Sequence, residues 1–133
     1  IFIHVGRDEE EVKLKNYIHV GFVKENSDLA VYYSMADLFL FTSLADTMSN
    51  ACLEALACGT PLLVFNISGM PYLLDESVGT LVAPRDVNAL VEVVNNTCKK
   101  TEELSQRCRA YAERRYDMNS YADKVIEIAK SIE

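Results

Sequence analysis

The chain has 133 residues, which is enough for one domain with a hydrophobic core of its own. Half of the residues are hydrophobic and a quarter are charged, which is the composition of an ordinary globular protein. The formal net charge of -7 argues against binding to nucleic acid or to anionic membranes by bulk electrostatic attraction. It does not exclude a nucleotide, because a single helix end can bind a phosphate group.

The four cysteines, Cys52, Cys58, Cys98 and Cys108, form no CxxC pair, and only two histidines are present. This spacing does not indicate a zinc site, and we expect free thiols in a reducing compartment, which predicts a cytoplasmic location. No apolar run has membrane-spanning length, and no signal peptide is visible. Because residues 1–5 already have a strand pattern, we expect a single domain over residues 1–133, cut from a longer protein.

The first 35 residues alternate between strand and helix patterns. The predicted elements are strands over residues 1–5 and 17–20 and helices over residues 8–15 and 28–35. The second strand ends in the run Gly21-Phe22-Val23. Ser27 is the predicted cap of the second helix, and its inward face is expected to carry Leu29, Tyr32, Tyr33 and Met35.

A strand, a loop and a compact helix come next. The strand is the short apolar run Leu38–Phe41, which suits a position buried on both faces of a parallel sheet. The helix is predicted over residues 49–58, with Ser49 or Asn50 as its N-cap and Gly59 as its stop.

The remaining sequence continues the alternation. The predicted elements are strands over 62–65 and 79–83, a helical turn at 72–74, and helices that follow Asp86 and cover 102–114 and 118–132. Asp86 is the predicted cap of its helix, whose inward face is expected to carry Val87, Leu90, Val91 and Val94.

This order of elements predicts an α/β protein with a doubly wound, Rossmann-like parallel sheet and helices on both faces. Ligands of such sheets bind outside the carboxyl ends of the strands. The segments that follow those ends are Gly6, residues 21–23, residues 43–50 and Ser68-Gly69. We therefore expect them to lie along one edge of the sheet.

Two acids flank the start of the helix over residues 49–58. Asp46 lies in the preceding loop, and Glu54 lies within a helix rich in Ala, Leu and Cys. Because an unpaired buried carboxylate is costly, Glu54 needs a partner, such as a backbone group or an arginine, or else a ligand. The unpaired N–H groups at the helix start can bind an anion. Acids beside an anion site suit a sugar nucleotide, whose hydroxyls flank a pyrophosphate, although Asp46 can equally be an ordinary loop or capping acid.

Residues 46–61 resemble the donor-site signature of retaining glycosyltransferases of the GT-B fold, family 4-like (glycosyl transferases group 1). That signature reads acid, seven residues, Glu, then Ala-hydrophobic-Ala-x-Gly-x-Pro. Here it stands as Asp46, seven residues, Glu54 and the run Ala55 to Pro61. The first acid is usually Glu in the family, and Asp46 is a known variation. The run Ser68 to Pro71 resembles the family's Gly-Gly-hydrophobic-Pro turn, with Ser in place of the first Gly.

The resemblance implies the C-terminal, donor-binding domain of a hexosyltransferase of polysaccharide biosynthesis. Glu54 would bind the ribose hydroxyls of a UDP-, GDP- or ADP-sugar, Asp46 would bind the transferred sugar, and backbone amides would meet the diphosphate. The acceptor would be a saccharide or lipid-linked, and no metal or other cofactor is implied. The implied donor-binding residues are Gly21, Phe22, Val23, Asp46, Met48, Ser49, Asn50, Ala51 and Glu54.

Members of the family carry a basic Arg–Lys pair in the loop after the first strand of this domain, and this chain starts after that point. We therefore expect no catalytic residue within residues 1–133 and no transferase activity from this chain alone. The resemblance also implies an N-terminal acceptor domain as partner and allows peripheral membrane association of the whole protein. It further implies that the apolar side chains between Tyr121 and Ile132 lack cover here and invite self-association.

The alternative is a non-catalytic Rossmann-like interaction or regulatory module. Binding of a nucleoside diphosphate separates the transferase from the non-catalytic module.

Overall fold

The structure is a computed structural model that describes residues 1–7, 13–97 and 99–132. Its elements are β1 (Phe2–Val5), β2 (Tyr17–Gly21), α1 (Asn26–Met35), β3 (Phe39–Phe41), α2 (Asn50–Ala57), β4 (Leu62–Phe65), α3 (Met70–Leu73), β5 (Gly79–Val82), α4 (Val87–Asn96), α5 (Glu102–Tyr116) and α6 (Met118–Ser131). The helix predicted over residues 8–15 lies largely outside the described residues, and residues 13–15 are not helical.

Every strand pair is parallel, which confirms the predicted α/β class. β1 pairs with β2, and β3, β4 and β5 form a second sheet with β4 in the middle. Parallel pairing needs long crossovers, and the helices between consecutive strands of the second sheet supply them. Consequently the carboxyl ends of β3, β4 and β5 lie at one edge, where ligands of such sheets bind.

β4 is covered by helices on both faces. Leu62 and Val64 point into a core that also contains side chains of α1, α2 and α5. Leu63 and Phe65 point the other way and pack against α4. This alternation follows from the two-residue period of a strand, and it explains why four consecutive apolar residues are buried.

The prediction that residues 38–41 are buried on both faces was wrong in part. Among the described residues β3 pairs with β4 alone, and it is only half-buried, with Leu40 38% exposed. The apolar run correctly gave a strand, but an apolar run does not tell whether the strand lies in the middle of its sheet or at its edge.

The cap predicted for α1 was also wrong. The helix begins after Glu25, two residues before Ser27, and no side chain caps it within the described residues. Tyr33 is buried and Leu29 packs on the core as predicted, whereas Met35 is 58% exposed.

For α4 the cap was right and the inward face was partly wrong. Asp86 Oδ1 accepts a hydrogen bond from the backbone N–H of Ala89 at 2.9 Å, as an N-cap does. Leu90 and Val94 pack on the β-sheet as predicted. Two other predicted positions, 87 and 91, are exposed, and the half-buried Ala89 and Val93 complete the stripe that packs on the sheet instead.

α6 presents an uncovered apolar surface, as predicted. Its exposed apolar side chains are Met118, Tyr121, Val125, Ile126 and Ile128, followed by Ile132 after the helix. Self-association through this surface stays a prediction. Over the ranges that the structure describes, no helix is both long and apolar enough to cross a bilayer.

Candidate functional site

The C-terminus of α2 is fixed by a Schellman motif. The N–H of Thr60 donates to the carbonyl of Ala55 at 2.8 Å, and the N–H of Gly59 donates to the carbonyl of Leu56 at 2.9 Å. Gly59 has the positive φ of +81° that this motif requires. A Cβ at this position would collide with Ser105 of α5, so the glycine also allows α5 to pack closely. The helix that carries Glu54 is therefore held rigidly.

The N-terminus of α2 keeps its first amides outside the helical hydrogen-bond ladder. Ser49 is the N-cap residue, as predicted, but within the described chain its side chain caps none of these amides. The first intrahelical bond runs from Leu53 N to Ser49 O at 3.2 Å. The amides of Asn50 and Ala51 precede it and are available to an anion.

Two buried thiols, Cys52 and Cys108, lie in the core behind this helix start. Burial raises the pKa of Cys52 to about 11, and the neighbouring Ser49 hydroxyl opposes only part of that rise. The pKa of Cys108 is raised to about 11 by burial as well. Both thiols are fully buried, so they serve as packing groups rather than as nucleophiles.

Asp46 lies half-buried in the loop before α2, and its Oδ1 accepts a hydrogen bond from the N–H of Met48 at 3.1 Å. The amide of Met48, one of the predicted donor contacts, is thus already engaged. A ligand oxygen could take that amide only if Asp46 turned away. The carboxylate therefore lies next to the helix start, although Ser49 rather than Asp46 is the N-cap.

Glu54 is exposed on α2, one turn into the helix. Its Oε2 accepts a hydrogen bond from the hydroxyl of Tyr33 on α1 at 3.2 Å. The partner is therefore neither the arginine nor the backbone group that the sequence left open. The carboxylate is exposed rather than buried as the sequence argument assumed, and no cation among the described residues pairs with it, so it remains available to a ligand.

At Gly69 the loop after β4 approaches the loop before α2 closely. A Cβ at Gly69 would collide with the backbone carbonyl of Thr47, so only glycine permits this approach. The preceding residue, Ser68, has a φ of +43°, in the left-handed region that favours glycine. The family turn that residues 68–71 resemble has Gly at this position. The serine found here therefore adopts a strained conformation beside the site.

The predicted site residues at the end of β2 belong to the separate β1–β2 sheet, and their place beside the start of α2 stays a prediction. Gly21 has a φ of +81° and accepts a hydrogen bond from the N–H of Gly6 at 2.9 Å, which ties the ends of β1 and β2 together. Phe22 is 67% exposed, and the guanidinium of Arg7 lies 5.4 Å from its ring centre. Val23 is half-buried. α1 starts just beyond and runs from this strand end towards Glu54.

Sequence reasoning missed the group that supports Tyr33. The Nζ of Lys100 donates to the hydroxyl of Thr60 at 2.9 Å and to the carbonyl of Ser34 at 2.7 Å. The Thr60 hydroxyl donates in turn to the carbonyl of Tyr33 at 2.5 Å. Burial lowers the pKa of Lys100, and the charge of Asp37 opposes that change. No local sequence signal reveals a contact between residues 40 positions apart.

Two surface clefts contain none of the predicted site residues. One, of about 440 Å³, runs along α1 and is lined by residues 27, 30, 31, 34 and 35. The other, of about 720 Å³, surrounds the start of β5 and is lined by residues 74–77 and 79–81. The second lies at the amino end of a parallel strand, where ligands of α/β sheets do not usually bind. Neither contains a predicted site residue.

The described residues 1–7, 13–97 and 99–132 contain no group of three His, Cys, Asp or Glu side chains that could hold a metal ion. The predicted independence from metals stays a prediction.

The family model described as "Glycosyl transferases group 1" matches residues 5–115. This chain belongs to the group 1 glycosyl transferase family. The match includes the signature at residues 46–61 and the strand end at residues 21–23. The GT-B recognition made from the sequence is confirmed at the level of family and fold.

Among curated relatives, the chain is 25% identical over 124 residues to a 41.2 kDa Klebsiella pneumoniae protein described as an uncharacterized protein of the cps region, covering 92% of this chain and 34% of that protein. It is 28% identical over 74 residues to the D-inositol 3-phosphate glycosyltransferase of Mycobacterium tuberculosis, covering 55% of this chain and 15% of that protein. The chain thus spans about a third or less of the length of these relatives.

Solved structures share the fold. Sucrose-phosphate synthase from Thermosynechococcus elongatus superposes with a TM-score of 0.72 at 25% identity, over 87% of this chain and 30% of that one. Anabaena Alr3699/HepE in complex with UDP-glucose superposes with a TM-score of 0.70 at 22% identity, over 88% of this chain and 33% of that one.

Proposed function

We propose that this chain binds the nucleotide-diphosphate-sugar donor of a glycosyl transferase. We further propose that the whole protein transfers a hexosyl group from that donor to a saccharide or lipid-linked acceptor with retention, as part of polysaccharide biosynthesis. Membership of the group 1 family supports the transferase class. The complexes of Alr3699/HepE with UDP and with UDP-glucose support the donor class.

One observation carries the proposal for this chain. The amides of Asn50 and Ala51 begin α2, the Asp46 carboxylate bonds the Met48 amide just before that start, and Glu54 lies one turn into the same helix. Helix N-termini bind phosphates through such amides and the helix dipole. This local field attracts a diphosphate although the net charge of the chain is -7.

Each part of a sugar nucleotide has a matching group in this arrangement. The diphosphate lies at the start of α2, the ribose diol hydrogen-bonds the Glu54 carboxylate, and Asp46 accepts from hydroxyls of the transferred sugar. The base lies against Gly21–Val23, where Phe22 offers an exposed aromatic face. The base of the donor is uracil, guanine or adenine.

We propose that the rest of the whole protein supplies the remaining chemistry, because this chain spans about a third or less of the length of its relatives. Basic side chains before residue 1 would neutralise the departing diphosphate, so the reaction needs no metal or other cofactor. The acceptor would be held by an N-terminal domain. We place the whole protein in the cytoplasm, with peripheral contact to the membrane, and we expect residues 1–133 alone to catalyse no transfer.

The test is calorimetric titration of the protein with UDP, GDP and ADP. At least one nucleotide binds, and Glu54→Ala weakens its binding about tenfold or more, because hydrogen bonds to a charged group contribute about 1.5–3 kcal/mol. The matched control is Glu92→Ala, which removes an exposed glutamate of α4 on the other side of the sheet and leaves the affinity unchanged.

The proposal is wrong if none of the three nucleotides binds, and that result favours the non-catalytic module. Equal affinities of wild type and Glu54→Ala would remove Glu54 from the site.

A further inference from the structure

We propose that Tyr33 is a positioning residue of the donor site, which holds the Glu54 carboxylate in the orientation that receives the ribose diol. This inference rests on the proposed function, because it assigns to Tyr33 a task within the same site. The inference is based on the hydrogen bond from the Tyr33 hydroxyl to Glu54 Oε2 at 3.2 Å, which connects α1 to α2.

Tyr33 is itself held from several sides. Its side chain is only 8% exposed, and its ring meets Phe39 edge-on with the ring centres 5.3 Å apart. Its carbonyl accepts a hydrogen bond from Thr60, which Lys100 contacts in turn. Few rotamers remain for a side chain fixed in this way, so the hydroxyl is presented at one place.

Glu54, in contrast, is exposed and has a long side chain that could adopt many rotamers. Ordering such a side chain costs conformational entropy, up to roughly 2 kcal/mol for the longest side chains. Within the part of the chain that the structure describes, the bond from Tyr33 is the only side-chain hydrogen bond of Glu54. Tyr33 therefore restricts the carboxylate before the ligand arrives.

The hydroxyl stays protonated for this task. Burial, followed by the negative charge of Glu54, raises the pKa of Tyr33 well above its ordinary value. The phenol thus acts as a donor throughout the physiological pH range. It occupies one of the roughly four lone-pair positions of the carboxylate and leaves the others to accept from two neighbouring hydroxyls.

The test is a double-mutant cycle in the protein, read by the affinity for UDP, or for GDP or ADP if that nucleotide binds more tightly. Tyr33→Phe keeps the ring and removes the hydroxyl, and we expect it to weaken binding about fivefold, within the usual range of couplings between contacting groups. In the Glu54→Ala background the same change has no further effect. The matched control is Tyr32→Phe, which removes a neighbouring hydroxyl and leaves the affinity unchanged.

A second ligand separates positioning from a merely structural role. With the 2′,3′-dideoxy form of the nucleotide, which lacks the ribose diol, Tyr33→Phe and wild type bind equally. Equal losses for both ligands, or a fivefold loss that persists in the Glu54→Ala background, would show that Tyr33 acts through the core rather than through Glu54. Wild-type affinity of Tyr33→Phe beside weak binding by Glu54→Ala overturns the role of Tyr33 alone. Wild-type affinity of Glu54→Ala, or no nucleotide binding at all, overturns the proposed function and this inference with it.

Discussion

Gly59→Ala is expected to lower the free energy of unfolding by roughly 2–5 kcal/mol. A non-glycine residue in the left-handed region costs roughly 1–2 kcal/mol, and overpacking of a tight contact costs about 1–3 kcal/mol more. Both costs apply here, because φ is +81° and the new Cβ would lie against the Ser105 side chain and 3.0 Å from its carbonyl oxygen. This is a large share of the stability of an ordinary domain. Urea unfolding followed by circular dichroism measures it.

Gly21 supplies the control for this experiment. It has the same φ of +81°, but a Cβ added there meets nothing within 4 Å. Gly21→Ala should therefore cost only the conformational part, roughly 1–2 kcal/mol. Equal losses for the two variants would mean that α5 does not press on the end of α2 as described.

Gly69→Ala is expected to weaken nucleotide binding by more than tenfold. The added Cβ would collide with the Thr47 carbonyl, which is backbone and cannot rotate away, so the two loops must separate. The moving loop carries Asp46 and leads into the start of α2, and a displacement of about 1 Å at a binding site can cost a hundredfold in activity. Affinity for the preferred nucleoside diphosphate, measured by calorimetry, gives the result.

Gly79→Ala is the matched control, because it also crowds a backbone carbonyl, that of Leu62, at 2.7 Å. Gly79 lies at the amino end of β5, away from the proposed site. The variant should lose stability and keep its affinity. If both glycine variants bind as tightly as wild type, the loop around Thr47 takes no part in donor binding.

Local patterns predicted most of the fold because its signals are local. The strand–loop–helix order around α2, its stop at Gly59 and the cap at Asp86 all depend on neighbours within a few residues, and each was confirmed. The half-buried position of β3 was missed, because it depends on which strands lie beside it rather than on the apolar run itself.

The candidate site was predicted only where its signals are local. The signature identified Asp46 and Glu54 from the sequence, and the structure shows one carboxylate just before α2 and the other on it. Tyr33 was interpreted as a core residue, which it is, but its hydroxyl reaches Glu54 across 21 positions of sequence. A contact between two helices depends on how they pack, and a single sequence does not record that packing. The close approach of Gly69 to Thr47 could not be predicted either, because it depends on how two loops pack against each other.

Binding of a nucleoside diphosphate at the start of α2 can be located by the amide chemical shifts of the ¹⁵N-labelled chain during titration with UDP, GDP or ADP. We expect the largest shifts at Asn50 and Ala51, with further shifts near Glu54, Gly69 and residues 21–23. Shifts confined to the cleft of about 720 Å³ around the start of β5, with none at the start of α2, would contradict it.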